Sequence, residues 1–165
     1  MSDETRREGE RVFSLPDAAP FDAGLRFIGR IVSPWTERSA CPKNMRQARE
    51  RGQAARVELF PPYQEALAGL EAGSPIFLFT FLDRARRDLA LQMPRHADSA
   101  RGTFSLRSPV RPNPIGLHLV ELVAVDRENG LLSIDAIDVL DGTPLLDIKP
   151  YFESVDRPGA GLASG

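Results

Sequence analysis

The sequence predicts an all-β fold, a small β-barrel with short helical insertions and a non-Rossmann topology. Three observations carry that expectation. Six short apolar segments, residues 26–32, 55–60, 75–81, 103–106, 117–125 and 131–139, are separated by turn-forming residues at a spacing suited to strands. Between the last two stands Asn129-Gly130, both of whose residues tolerate positive φ, so an antiparallel hairpin is expected there. Gly159-Ala160-Gly161 superficially suggests a nucleotide loop, but no strand precedes it and no helix follows, which excludes a dinucleotide fingerprint.

Helical character is confined to residues 44–51 and 62–70, with a further helical turn expected over 84–91. In the second piece Pro62 suits a first turn, and Leu67 and Leu70 share a face. Residues 1–24 are polar and contain Pro16, Pro20 and Gly24, so they read as an N-terminal arm, with Val12, Phe13, Leu15 and Phe21 apolar enough to dock on the body. The barrel domain is expected over 25–156, and 157–165 as a flexible tail.

At 165 residues the chain is long enough for one domain with a real core and no metal or disulfide support. Net charge is −2, so bulk electrostatics do not announce a nucleic-acid partner. The charge is nevertheless polarised along the chain. Seven arginines (84, 86, 87, 95, 101, 107, 111) face only Asp88 and Asp98 between positions 84 and 111, whereas positions 135–156 hold six acids against Lys149. An arginine-rich surface can engage phosphates, and it can equally be a solvated face. Cys41 is the sole cysteine, which excludes an intrachain disulfide and a Cys/His zinc set, and a reducing cytoplasm is expected. The first eight residues lack the apolar core of a secretion signal. The longest apolar run, near 75–82, falls short of the ~20 residues that span a bilayer, so neither export nor membrane insertion is expected.

Two segments are dense in chemistry. Arg107-Ser108-Pro109-Val110-Arg111-Pro112-Asn113-Pro114-Ile115-Gly116 holds three prolines that fix their own φ and push Ser108, Arg111 and Asn113 toward extended backbone. A loop so stiffened presents Arg107, Arg111 and Asn113 in fixed places at little entropic cost. Ile115, Leu117, Leu119 and Leu122 are read as continuing into the fold. The second segment, Asp138-Val139-Leu140-Asp141-Gly142-Thr143-Pro144-Leu145-Leu146-Asp147-Ile148-Lys149-Pro150-Tyr151, crowds three acids, a glycine turn and a lysine into fourteen positions. Two such segments in one small chain suggest one shared site. Taken alone, Asp141-Gly142 reads equally as a simple turn and Asp147/Lys149 as a local ion pair. A magnesium or calcium site from Asp135, Asp138, Asp141 and Asp147 is disfavoured, because the spacing is not that of a calcium loop and Asp135 is placed on the opposite strand face from Asp138. His118 flanks an apolar strand and is read as a histidine at the core edge rather than a base.

Together the two segments resemble the TsaA-like family, tRNA methyltransferases of the TrmO type, whose members carry R-S-x-x-R-P-N-P-I-G and later D-x-x-D-G-T-P-x-x-D-I-K-P-Y. Both patterns stand complete here, and a looser resemblance covers residues 25–156 from Phe27-Ile28-Gly29-Arg30-Ile31-Val32-Ser33-Pro34 onward. The resemblance implies a β-barrel core that binds S-adenosyl-L-methionine without a Rossmann fold. It also implies a homodimer with the site near the subunit interface, and methylation of N6 of threonylcarbamoyladenosine beside the tRNA anticodon. The implied cofactor-binding residues are Pro42, Lys43, Asn44, Leu82, Asp83, Arg107, Leu117, Asp138, Val139, Leu140, Asp141, Gly142 and Thr143. In chemical terms Asp138 or Asp141 can accept hydrogen bonds from a ribose or an ammonium, Arg107 can meet a carboxylate, and the Gly142-Thr143 turn offers backbone groups. Arg111 and Asn113 are expected at the substrate, with Lys149 and Tyr151 orienting the acceptor and handling its proton. Trp35, Tyr63 and Phe79 are candidates for stacking on a splayed base, although each is also a natural core residue.

Such an in-line methyl transfer asks the protein to align two reactants and exclude water, and it requires no nucleophilic side chain or metal. Several family members have Pro-Arg-Gln and His-Gln where this chain has Pro42-Lys43-Asn44 and Leu82-Asp83, so substrate choice is expected to have moved. Longer bacterial members continue into a C-terminal extension associated with holding tRNA, which is expected to have no counterpart here. Other readings stay open: a methyltransferase of the same fold with a different substrate, a non-catalytic RNA-binding barrel, or a structural dimer without a ligand.

Overall fold

The structure is a computed structural model that describes residues 6–13, 23–95 and 97–158. Its elements in chain order are β1 (Arg11–Val12), β2 (Gly29–Val32), α1 (Met45–Arg51), β3 (Ala55–Leu59), β4 (Pro75–Phe81), β5 (Leu89–Gln92), β6 (Arg101–Gly102), β7 (Ile115–Asp126), β8 (Leu131–Ile134), β9 (Pro144–Pro150) and α2 (Glu153–Asp156). They form two compact units. Of the described residues, 26–81 and 116–158 make the larger one, and 6–13, 23–25, 82–95 and 97–115 the smaller.

The larger unit is a closed six-strand barrel in the order β2-β3-β8-β7-β4-β9, so the expected all-β, non-Rossmann barrel is what the chain forms. Closure leaves no unpaired strand edge. Inward positions follow the two-residue strand period: Ile31, Val57 and Leu59, Ile76 and Leu78, Val120 and Leu122, Leu132 and Ile134, and Leu145 are all buried. Gly29 sits where β2 pairs with both β3 and β9, opposite Leu59 and Leu145. A Cβ there would lie 2.3 Å from the Glu58 carbonyl oxygen, so only glycine fits. The β7–β8 hairpin forms as predicted, with Gly130 at φ 68°. Its loop is four residues rather than two, because Asp126 pairs with Leu131 and its carboxylate accepts from the Asn129 backbone N–H at 3.1 Å and side-chain amide at 2.8 Å.

The smaller unit contains a three-stranded sheet in the order β1-β5-β6. Val12 belongs to β1, the Phe13 N–H donates to the Asp88 carbonyl at 2.7 Å, and the Phe13 and Phe104 ring centroids lie 6.2 Å apart. Leu15, Pro16, Pro20, Phe21, His96 and Gly159-Ala160-Gly161 lie outside the described residues. Among the described residues no helix is long and apolar enough to cross a membrane.

Several expectations need correction. Residues 103–106 are not a strand: Thr103–Ser105 is a 3₁₀ turn, because the buried Thr103 hydroxyl donates to the Leu89 carbonyl at 2.5 Å and accepts from Gln92 at 2.9 Å. The helical turn expected over 84–91 gives way to β5, whose Leu89 is buried. The segment 62–70 shortens to a 3₁₀ helix over Tyr63–Leu67. Ile115, Leu117 and Leu119 point outward, 40%, 43% and 37% exposed, whereas Gly116, His118, Val120 and Leu122 point inward. Finally, residues 135–139 do not extend β8, and the second motif delivers β9, which pairs with β4 from Ile76↔Pro150 to Thr80↔Leu145.

Candidate functional site

Beyond β8, residues 135–143 leave the sheet, and residues 137–142 are tied by hydrogen bonds to β2 and the segment that follows it. The Ser33 hydroxyl donates to the Val139 carbonyl at 2.8 Å, and the Trp35 indole Nε1–H to that of Ile137 at 2.8 Å. The Asp141 N–H reaches the Trp35 carbonyl at 2.8 Å, the Gly142 N–H that of Ile31 at 2.9 Å, and Asp141 Oδ1 accepts from the Ser33 N–H at 3.0 Å. Gly142 adopts φ 78°, the left-handed turn that its lack of Cβ permits, and nothing lies within 4 Å of where a Cβ would be. The loop is therefore fixed at both shoulders while its tip, Asp141-Gly142, stays exposed. Trp35 is buried, with Arg51 5.1 Å above its ring, and so belongs to the core.

One residue of this loop reaches into the barrel. Asp138 Oδ1 lies 2.6 Å from His118 Nδ1, and His118 Nε2 lies 2.9 Å from Thr80 Oγ1. Thr80 is 0% exposed and His118 5%, so only the Asp138 end of the chain approaches solvent. Gly116 makes room for this arrangement: a Cβ there would fall 2.3 Å from Thr80 Oγ1 and 2.5 Å from His118 Nε2. His118 does lie at the edge of the core, and its contact with Asp138, twenty residues away, is one that sequence spacing does not signal.

Of the other implied residues in the barrel unit, Pro42 is buried and Lys43 and Asn44 are exposed at the start of α1. Asn44 is the helix N-cap, accepting from the Gln47 N–H at 3.0 Å, while Gln47 accepts from the Lys43 N–H at 3.0 Å, a reciprocal capping arrangement. Beside them Cys41 has its thiol pushed up to about 11, first by burial and then by the negative charge of Asp138. A raised folded pKa gives a contribution to stability that is intact below the ordinary value of 9.0 and is lost as pH rises toward 11. Cys41 should thus be almost wholly thiol at pH 8, with roughly 100-fold less thiolate than in the unfolded chain. Alkylation at that pH should be correspondingly slower for the folded protein than for the same protein in urea, and equal rates would show that the thiol is not shielded.

On β9, Lys149 Nζ lies 3.3 Å from Asp147 Oδ2, with both side chains more than half exposed, and the Tyr151 ring meets Phe77 edge-on at 5.6 Å. The four aspartates weighed for a metal have separate partners: Arg49 for Asp135, His118 for Asp138, the Ser33 N–H for Asp141 and Lys149 for Asp147. Among the described residues no three His, Cys, Asp or Glu side chains gather as a metal set.

In the smaller unit, the Arg111 guanidinium donates to the Leu106 carbonyl at 2.5 Å and the Thr103 carbonyl at 3.2 Å, and Gln92 Nε2 donates to the Val110 carbonyl at 2.6 Å. These bonds hold the proline-rich loop in shape. Asp83, Arg107 and Asn113 are exposed and Leu82 half-buried, with the Leu82 N–H bonded to the Pro114 carbonyl at 2.8 Å. Arg86 forks onto Asp88 at 3.0 and 2.8 Å, and that bond holds the Asp88 carboxyl below its ordinary range.

The family model of the tRNA-methyltransferase O N-terminal domain matches residues 30–157. The chain belongs to that family. Within the tRNA-methyltransferase O N-terminal domain family and its relatives, a protein of Methanothermobacter thermautotrophicus described as a probable S-adenosyl-L-methionine-binding protein is 40% identical over 135 residues, covering 82% of this chain and 94% of its own. The tRNA (adenine(37)-N6)-methyltransferase of Escherichia coli is 39% identical over 133 residues, 75% of this chain and 55% of its own. A crystal structure of TrmO from Pseudomonas aeruginosa superimposes with a TM-score of 0.67 at 33% identity, over 90% of this chain and 62% of that one. The chain thus spans little more than half the length of the two methyltransferases, and 36% of a longer Archaeoglobus fulgidus relative. The matched residues 30–157 hold the β7 segment and the whole of 138–151, the second of the segments on which the family resemblance was drawn.

Proposed function

We propose that this chain is an S-adenosylmethionine-dependent methyltransferase acting on tRNA at N6 of the adenine beside the anticodon, and more finely on threonylcarbamoyladenosine. The observation that carries the reading is the Asp138–Thr143 loop, pinned by hydrogen bonds on both shoulders and offering the Asp138 carboxylate together with an open glycine turn. That donor set fits the cofactor's chemistry. A carboxylate suits ribose hydroxyls or an ammonium, and a turn with no Cβ lets a ligand approach the backbone closely. When bound, the cofactor supplies an activated methyl group on a positively charged sulfur. Asp138 and Asp141 then hold the donor, Leu117 and the Pro42-Lys43-Asn44 segment flank it, and Lys149 with Tyr151 orients the acceptor nitrogen and handles the proton that it gives up to water as the methyl group arrives.

The cytoplasm and a homodimer belong to the same reading. The outward apolar positions Leu117, Leu119 and Val123 on β7, 43%, 37% and 59% exposed, support a second copy covering that face.

The test is incubation of the protein with radiolabelled S-adenosylmethionine and total RNA from a strain lacking it, followed by nucleoside analysis. Label in N6-methylated threonylcarbamoyladenosine is expected. Label in another nucleoside would move the substrate, and RNA binding without any affinity for the methyl donor would favour a non-catalytic barrel. Within this reading Lys149→Ala should leave the dissociation constant for S-adenosylmethionine nearly unchanged and lower kcat by about 100-fold or more. Unchanged turnover would remove Lys149 from the site.

A further inference from the structure

We infer that His118 is a positioning residue for the methyl donor, acting through Asp138; this rests on the proposed function. A carboxylate only accepts hydrogen bonds, so the 2.6 Å contact places the imidazole proton on Nδ1, pointing at Asp138 Oδ1. The other ring nitrogen is engaged by the fully buried Thr80 hydroxyl at 2.9 Å, which fixes the ring plane. Oδ1 is thereby occupied from inside the barrel. Among the described residues no hydrogen bond reaches Oδ2, which is left for a ligand at the solvent end of the chain.

Packing alone does not account for a histidine at this position. Its inward neighbours on β7, Val120 and Leu122, are aliphatic and buried, and an imidazole among them costs free energy unless both nitrogens are bonded. Anchoring of the loop does not account for it either. Ser33, Trp35 and the backbone of Ile31 already tie residues 137–142 down through five hydrogen bonds that do not involve His118. What His118 adds is the orientation of one carboxylate, as an outer partner does for a ligand-holding group. Gly116 belongs to the same device, since any side chain there would enter the Thr80–His118 contact.

The test compares His118→Asn, whose amide donor falls near the position of Nδ1, with His118→Gln, whose donor reaches instead toward Thr80. Binding of S-adenosylmethionine is measured by calorimetry on both variants after circular dichroism has shown them folded. His118→Gln should weaken binding by about tenfold or more, and His118→Asn should recover most of that loss. Both variants disturb the core, so a purely structural histidine would make affinity follow the thermal midpoint rather than the position of the donor. An unweakened His118→Gln, or a His118→Asn as weak as His118→Gln, overturns the inference while the proposed function stands. Wild-type protein that does not bind the donor at all overturns both. Should His118→Gln not fold, nuclear magnetic resonance of the wild-type imidazole decides. A slowly exchanging Nδ1 proton that shifts when S-adenosylmethionine is added supports the inference, and an unshifted or absent one ends it.

Discussion

Replacing Gly116 by alanine should destabilise the barrel by about 1–3 kcal/mol and weaken binding of S-adenosylmethionine along with it. The added methyl carbon would lie 2.3 Å from Thr80 Oγ1 and 2.5 Å from His118 Nε2, well inside van der Waals contact. Neither neighbour can swing clear cheaply. Thr80 is fully buried on β4, and His118 is held from its far side by Asp138. The strain must therefore go into the backbone of β7 or into the His118–Asp138 hydrogen bond, and the second route misaligns the carboxylate proposed to hold the methyl donor. Urea unfolding and donor titration on the same variant separate the two routes: a lowered midpoint with intact affinity puts the strain in the strand, and a lowered affinity puts it in the His118–Asp138 hydrogen bond. A midpoint equal to that of the wild type would show that Thr80 and His118 repack freely, and the rigidity argued for Asp138 would go with it.

The barrel was legible in the sequence where short runs rich in β-branched and aromatic residues lie between turn formers. β4 came out with its bounds intact because Ile76, Leu78 and Thr80 alternate with aromatic residues that are only half buried. α1 was legible because Asn44 is a cap and Gly52 a left-handed stop at φ 60°. β7 was found as a strand, but its face was misread. Leu117, Leu119, Val120, Leu122 and Val123 are apolar on both sides, so alternation cannot say which side is inward, and a register shift between Leu122 and Ala124 breaks the period as well. β9 was missed for a related reason. Its Pro144, Asp147, Lys149 and Pro150 resemble a charged bend, and the strand exists because β4 and β2 pair with it, a long-range contact that local pattern does not carry.

The candidate site was half legible. Dense motifs marked residues 138–143, and an expected strand ran on to Val139 because Ala136, Ile137 and Val139 are apolar; in fact Ile137 and Val139 spend their carbonyls on Trp35 and Ser33. The His118–Asp138 contact joins positions twenty residues apart across the hairpin. Once β7 is known to turn its even-numbered residues inward, a polar side chain at 118 stands out among Val120 and Leu122 as one that requires a partner, and Asp138 is the nearby acid that supplies it. The signal was present, but it depended on a strand face that the sequence does not declare.

Substitutions at Asp138 should therefore separate charge from scaffold. Asp138→Asn can keep a carbonyl oxygen for the His118 Nδ1–H, so the unfolding midpoint should stay near that of the wild type. Affinity for S-adenosylmethionine should nevertheless fall by about 10- to 100-fold, since a hydrogen bond to a charged group is worth about 1.5–3 kcal/mol. Asp138→Ala loses the same contact and in addition strands the imidazole donor in a buried place, which costs a further ~1–3 kcal/mol of stability. Asp141→Ala removes an exposed carboxylate whose structural role is one hydrogen bond from the Ser33 N–H at 3.0 Å, so its stability loss should be the smaller of the two. Calorimetric titration and urea midpoints on the three variants test the ordering together. An Asp138→Ala protein that binds the donor as tightly as the wild type would remove Asp138 from the cofactor site, and with it the reason for a histidine inside the barrel.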